Sequence, residues 1–346
     1  MSKRLLLSID GGGIRGIIPL CALVELEKQT GRAARDAFSF MAGTSTGAII
    51  AAGLATGLPA ARILELYQEL GPKVFQRDWI GSLLSLGAFR YRTRPLAEAI
   101  RQFTDDVALN DLPIDILLSA MRVSDGHAWY FVRDNPSNAR TTGQLTLVDC
   151  VTASAAAPTY FEPWEVPGIG ACVDGGVGIA GNPIYQACVE AFNYTPPGSY
   201  IPAETIVVSL GTGYYNANAS PDHLLDWVGW VIGTLLREPA EQQTELVRRH
   251  FATAATYRID QALPRDIGMD DVGAIAELIA VGRECAEGID WAEILAARHN
   301  RWRVAPLDGS ALSTLSPMQQ LTLQVQGAHP VLRFSLGAFP RSNDRS

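Results

Sequence analysis

Three clusters in this 346-residue chain bring together residue types that can do covalent chemistry. The first is Gly43-Thr44-Ser45-Thr46-Gly47, a G-x-S-x-G pattern. A serine flanked by small residues can occupy a sharp strand-to-helix turn, where its hydroxyl stands clear of the backbone. Amides at the start of the following helix favour negative charge developing beside it. The pattern is short, so context gives it weight: an apolar run precedes it and an Ala-rich run follows. The second cluster is Asp10-Gly11-Gly12-Gly13-Ile14-Arg15-Gly16. Gly11, Gly12 and Gly13 free several N–H groups to point at one spot, as an oxyanion site requires, and Arg15 adds positive potential. The third is Asp174-Gly175-Gly176, an aspartate after an apolar run that two glycines allow to approach another loop. A serine nucleophile needs a base. His127, His223, His250, His299 and His329 sit in unrelated settings without a motif. Asp174 serves as the base if burial beside Ser45 raises its pKa.

A rival reading starts from the same glycines. Gly11-x-Gly13-x-x-Gly16 also fits the dinucleotide fingerprint, which makes an NAD-binding Rossmann-type oxidoreductase the alternative. That fingerprint wants an acidic residue about 20 positions on, at the end of the second strand. Asp36 has the distance but precedes the strand candidate Phe38–Met41, and the rival leaves Ser45 without a purpose.

The elements that must position these clusters follow from patterning. Leu5–Ile9 reads as a strand buried on both faces, and Ile17–Lys28 has helical spacing. Phe38–Met41 reads as a second strand and Ala48–Ala55 as a helix against the sheet. This βαβα rhythm predicts an α/β fold, a mainly parallel central sheet with helices on both faces. Later strand candidates are Asp115–Met121, Trp129–Val132, Ala171–Val173, Thr205–Leu210 and Tyr257–Ile259. Helices are expected at Leu224–Arg237, Glu241–Thr253 and Asp270–Glu287, with a frayed Pro340–Ser346. Hydrophobic residues make up 47% and charged residues 18%, which excludes a wholly disordered chain. The net charge of −8 argues against a nucleic-acid duplex partner, whose phosphates demand a basic face. Cys21, Cys150, Cys172, Cys188 and Cys285 are scattered, which suggests a reducing compartment. Without a signal-like or membrane-spanning run, a cytoplasmic protein is expected.

Taken together, the three clusters resemble the patatin-like phospholipase family. Its D-G-G-G-x-R-G loop, G-x-S-x-G elbow and D-G-[GA] aspartate are matched by Asp10–Gly16, Gly43–Gly47 and Asp174–Gly176, in the family's order. Ala153–Phe161 is similar to the family's A-S-x-A-x-P stretch, and Ser209–Gly213 to a further strand end. The resemblance covers about residues 5–213 and is loose over 214–346, which is expected as an extension of one domain, 1–346. It implies a three-layer fold, a Ser45–Asp174 dyad without histidine, and an oxyanion hole at Gly11, Gly12 and Gly13. Gly43, Gly47, Gly175, Gly176 and Arg15 would support the site. In the family motif the arginine lies at the helix start, which suits bracing of the loop through a carboxylate better than anchoring a lipid phosphate. The resemblance further implies calcium-independent hydrolysis of fatty acyl esters of membrane phospholipid or lysolipid, with no metal or cofactor.

Such an enzyme needs transient contact with a membrane surface. The apolar Trp79–Phe89, followed by Arg90, Arg92 and Arg94, suits a headgroup interface better than Trp227–Leu236. Some bacterial members of the family are antiphage effectors switched on by cyclic nucleotides. A small nucleotide activator and a homo-oligomer therefore stay open for this chain.

Overall fold

The run Leu5–Ile9 becomes β1 (Arg4–Ile9), whose last four residues are fully enclosed. In the computed structural model β1 lies within a nine-stranded sheet of order β5-β6-β3-β2-β1-β7-β8-β9, with β4 also paired to β3. The other strands are β2 (Phe40–Thr44), β3 (Asp115–Arg122), β4 (Ala128–Val132), β5 (Trp164–Val166), β6 (Gly170–Asp174), β7 (Thr205–Leu210), β8 (Ala255–Asp260) and β9 (Arg303–Val304). The structure describes residues 3–75, 89–135, 142–215, 240–296 and 303–304. The chain divides into Met1–Ala305 and Pro306–Ser346, and all described residues belong to the first unit. The expected helix Leu224–Arg237, the segments 79–88, Trp227–Leu236 and Pro340–Ser346, and His223, His299 and His329 lie outside the described residues.

Pairing is parallel from β3 through β2, β1, β7 and β8 to β9, and antiparallel at β4, β5 and β6. Side chains alternate across the central strands, as a two-residue period demands. Leu7, Ile9, Met41 and Leu118 point into one core, while Leu6, Phe40, Ala42 and Leu117 point into a second. The first face is covered by α1 (Ile17–Thr30), the short α2 (Ala34–Ala37) and α3 (Thr46–Ala55). It also receives α4 (Ala60–Val74), α5 (Thr93–Thr104) and α6 (Leu147–Ala155). The opposite face receives α7 (Ile184–Val189), through Ile184, Ala187 and Cys188, and Val247 from the helical stretch 240–250. The α/β architecture with helices on both faces is thus the one the patterning predicted. Two further helices, α8 (Ile275–Glu287) and α9 (Trp291–Leu295), follow β8.

Most element ends shift by one to three residues from expectation, the expected helix Glu241–Thr253 spanning 240–250 for example, and two of the shifts have a visible cause. Phe38 does not open β2, because α2 ends there and the Phe38 amide donates to the Ala34 carbonyl at 3.0 Å. Asp270 does not open α8; its carboxylate accepts from Tyr91 and Arg90 at 2.7 and 2.8 Å, and the helix starts only after a 3-10 turn at Val272–Ala274.

Candidate active site

Ser45 sits between β2 and α3 with φ 57° and ψ −122°, a backbone conformation that costs about 1–3 kcal/mol in a non-glycine residue. The two motif glycines explain why the turn can close. A Cβ on Gly43 would strike the Gly47 carbonyl, and one on Gly47 would strike the Ile9 carbonyl of the neighbouring strand. The Ser45 N–H donates to Ser154 Oγ at 3.0 Å, so the A-S-x-A-x-P-like stretch, to which the sequence assigns no role, fixes the elbow from α6.

Strand register brings Asp174 to Ser45. Thr44 pairs with Ser119 across β2 and β3, and the next residue of β3, Ala120, pairs with Asp174 at the end of β6. Residues 129 positions apart in sequence thereby meet over one strand, with the Ser45 side chain close enough to the Asp174 carboxylate to stabilise its charge. Asp174 is 6% exposed and Ser45 9%. Burial pushes the Asp174 carboxyl up to about 6, opposed by the neighbouring Ser45 side chain and by the Gly176 amide, which donates to it at 2.7 Å. Gly175 is required here because a Cβ would strike Ser119. The described histidines lie elsewhere in the network: His127 pairs with Asp125, and His250 with Tyr185.

The glycine loop reaches the same point, with one correction. A Cβ on Gly11 would lie 3.3 Å from the Ser45 Cβ, so the loop packs directly on the elbow. Yet the Gly11 N–H is engaged by the Gly181 carbonyl at 2.9 Å and is not a free donor, because the loop needs that bond to turn away from β1. The Gly12 and Gly13 N–H groups have no acceptor among the described residues. Gly13, at φ 61°, must be glycine because a Cβ would strike the Met269 carbonyl. Arg15 braces the loop, but through a different partner from the expected carboxylate: its Nε donates to the Gly12 carbonyl at 3.3 Å. Asp36, the acidic residue of the dinucleotide alternative, lies on α2 with 60% of its side chain exposed, not at a strand end. The fingerprint therefore lacks its ribose-binding carboxylate.

A cleft opens at Ser45, enclosing about 840 Å³ of space with its solvent-open mouth included. Its walls are almost wholly apolar, with Ile49, Ile63, Val74, Phe103 and Phe161 among them. An apolar lining of this kind suits a hydrocarbon chain. Chemically, the arrangement offers a hydroxyl, a carboxylate able to take its proton, two free amides and an apolar receptacle.

A family model described as "Patatin-like phospholipase" matches residues 7–188. The "cGAMP-activated phospholipase" of Escherichia coli (strain TW11681) is 27% identical, over 81% of this chain and 88% of its own length. That of Vibrio cholerae (serotype O1, strain ATCC 39315 / El Tor Inaba N16961) is also 27% identical, over 81% and 90%. The "85/88 kDa calcium-independent phospholipase A2" of Rattus norvegicus is 29% identical over 60% of this chain and 27% of that protein. The family match spans more than half of the 346 residues and contains both the glycine loop and the elbow. This chain belongs to the patatin-like phospholipase family, whose members are lipid acyl hydrolases.

Proposed function

We propose that the chain cleaves fatty acyl esters of membrane phospholipid or lysolipid through an acyl-enzyme on Ser45, with Asp174 as the base. The observation that carries this reading is the Ser45 side chain set beside a buried carboxylate and lining an apolar cleft. Asp174 accepts the Ser45 proton while Oγ bonds the ester carbonyl carbon. The carbonyl oxygen becomes negative and rests against the Gly12 and Gly13 amides, where losing one donor typically costs about 3–4 kcal/mol. Collapse breaks the carbonyl–oxygen bond to the glycerol moiety, whose oxygen takes the proton from Asp174. Water then gives a proton to Asp174 and attacks the acyl carbon, and Ser45 recovers the proton as the fatty acid leaves. The acyl chain lies in the cleft throughout, and contact with the bilayer is peripheral and transient. Among the described residues no helix is long and apolar enough to cross a membrane.

Fatty acid release from mixed phospholipid vesicles by wild-type and Ser45→Ala protein tests the proposal. Release should vanish in the variant, whereas a folded Ser45→Ala protein that still releases fatty acid would refute it.

A second reading concerns control. Two relatives that align over most of their own length are named cGAMP-activated phospholipases. We infer that a cyclic dinucleotide of that kind raises the activity of this chain. The same vesicle assay with and without cGAMP should show a faster rate with it. Equal rates would remove the control while leaving the hydrolase reading intact.

A further inference from the structure

Next to the glycine loop lies a buried charge cluster whose central cation no motif announced. Arg258 on β8 is only 3% exposed. Its Nη1 donates to Asp10 Oδ1 and Ser209 Oγ, both at 2.8 Å, and its Nη2 to Asp10 Oδ2 at 2.6 Å and Asp260 Oδ2 at 2.8 Å. One cation thus ties the ends of β1 and β8 together across β7, the strand between them. Asp10 is the residue from which the glycine loop departs. The other carboxylate extends the tie: Asp260 Oδ1 accepts from the Gly213 amide at 2.9 Å, and the adjacent Thr212 hydroxyl donates to the Gly11 carbonyl at 2.7 Å.

A buried ion cluster of this kind gains little stability over an apolar replacement of equal volume, so stability does not explain it. Its geometry does. A guanidinium presents several donors in a fixed plane and can hold two carboxylates and a hydroxyl in set directions, which a lysine ammonium on a flexible stem cannot. We infer that Arg258 is a positioning residue for the oxyanion loop, setting where the Gly12 and Gly13 amides stand by gripping Asp10 directly and the Thr212 strap through Asp260. This inference rests on the hydrolase reading above. It places part of the catalytic geometry in the control of residues beyond the stretch where the motifs lie.

Steady-state hydrolysis of a soluble p-nitrophenyl ester by Arg258→Lys and Thr212→Val proteins, with melting temperatures measured in parallel, tests the inference. A displacement of about 1 Å at a reacting site can cost about 100-fold in rate. Arg258→Lys should lose on the order of 100-fold in kcat with KM within about twofold of wild type. Thr212→Val removes a single hydroxyl outside the ion cluster and so keeps its fold even if the arginine variant does not. It should lose roughly tenfold in kcat with KM and melting temperature unchanged. Wild-type kcat in the folded Thr212→Val protein would overturn the inference, as would a loss confined to KM in either variant. A Ser45→Ala control separates the two levels: if it keeps wild-type turnover, the hydrolase reading fails first and takes this inference with it.

Discussion

Asp174 answers two opposing demands. Burial disfavours its charge and pushes the pKa up to about 6, while the Ser45 hydroxyl and the Gly176 amide stabilise the carboxylate. At pH 7 it is therefore mostly ionised, yet far more basic than an ordinary aspartate. Protonation removes the base, so kcat/KM on a soluble ester should fall about tenfold per pH unit below about 6. A profile flat through that region would show that another group accepts the proton. The same shift bears on stability with the opposite sign. A carboxyl with a raised folded-state pKa is stabilising when protonated, so its contribution grows as pH falls through about 6 and is complete below 3.8. At neutral pH the ionised form costs about 3 kcal/mol. Asp174→Asn should abolish turnover and raise the melting temperature, because the amide has no charge to desolvate. Calorimetry at pH 7 checks this; a lower melting temperature would contradict it.

At the level of single elements, α3 does two jobs. Its start fixes Ser45, and one turn later Ile49 forms part of the cleft wall. Ile49→Trp would fill part of the cleft without touching the elbow. Hydrolysis of a short-chain p-nitrophenyl ester should stay within a few-fold of wild type, whereas a long-chain ester should lose at least tenfold in kcat/KM, as overfilled apolar sites do. Equal losses on both chain lengths would mean that the cleft does not hold the acyl group. The β2–turn–α3 junction is also where the sequence spoke most clearly. Gly43 is needed by a backbone approach within this junction, which a local pattern can mark, whereas Gly47 is needed by the approach of β1 at Ile9. The boundary at Phe38 was less legible, since an apolar residue there serves equally as a helix end or a strand start.

At the scale of the whole molecule, residues 240–296, beyond the motifs, are part of the same packing as the core. Trp291 on α9 is fully buried in the main core, and its Nε1 donates to the Ala22 carbonyl of α1 at 3.1 Å. Trp291→Ala should cost about 3–5 kcal/mol, measured by urea unfolding. A cost under about 1 kcal/mol would show that this segment packs only loosely. Likewise α8 lies against α1, where a Cβ on Gly282 would come within 2.9 Å of the Cys21 Sγ. Residues past the last motif thus hold the helix that follows the glycine loop.

The sequence by itself marked the α/β class and seven of the nine strands, missing the short β5 and β9, and it singled out Ser45, Asp174 and the glycine loop as candidates for one site. Those features rest on local rules: hydrophobic period, small residues at tight turns, and a short list of groups able to do acyl chemistry. Tertiary structure alone decided which amides of Gly11–Gly13 stay free, that Arg15 grips a carbonyl, that Ser154 holds the elbow and that Arg258 ties Asp10 to Asp260. Each of these depends on a partner tens to hundreds of residues away or on backbone geometry that no spacing records. A hydrogen bond consumes a donor only once the chain has brought its acceptor there.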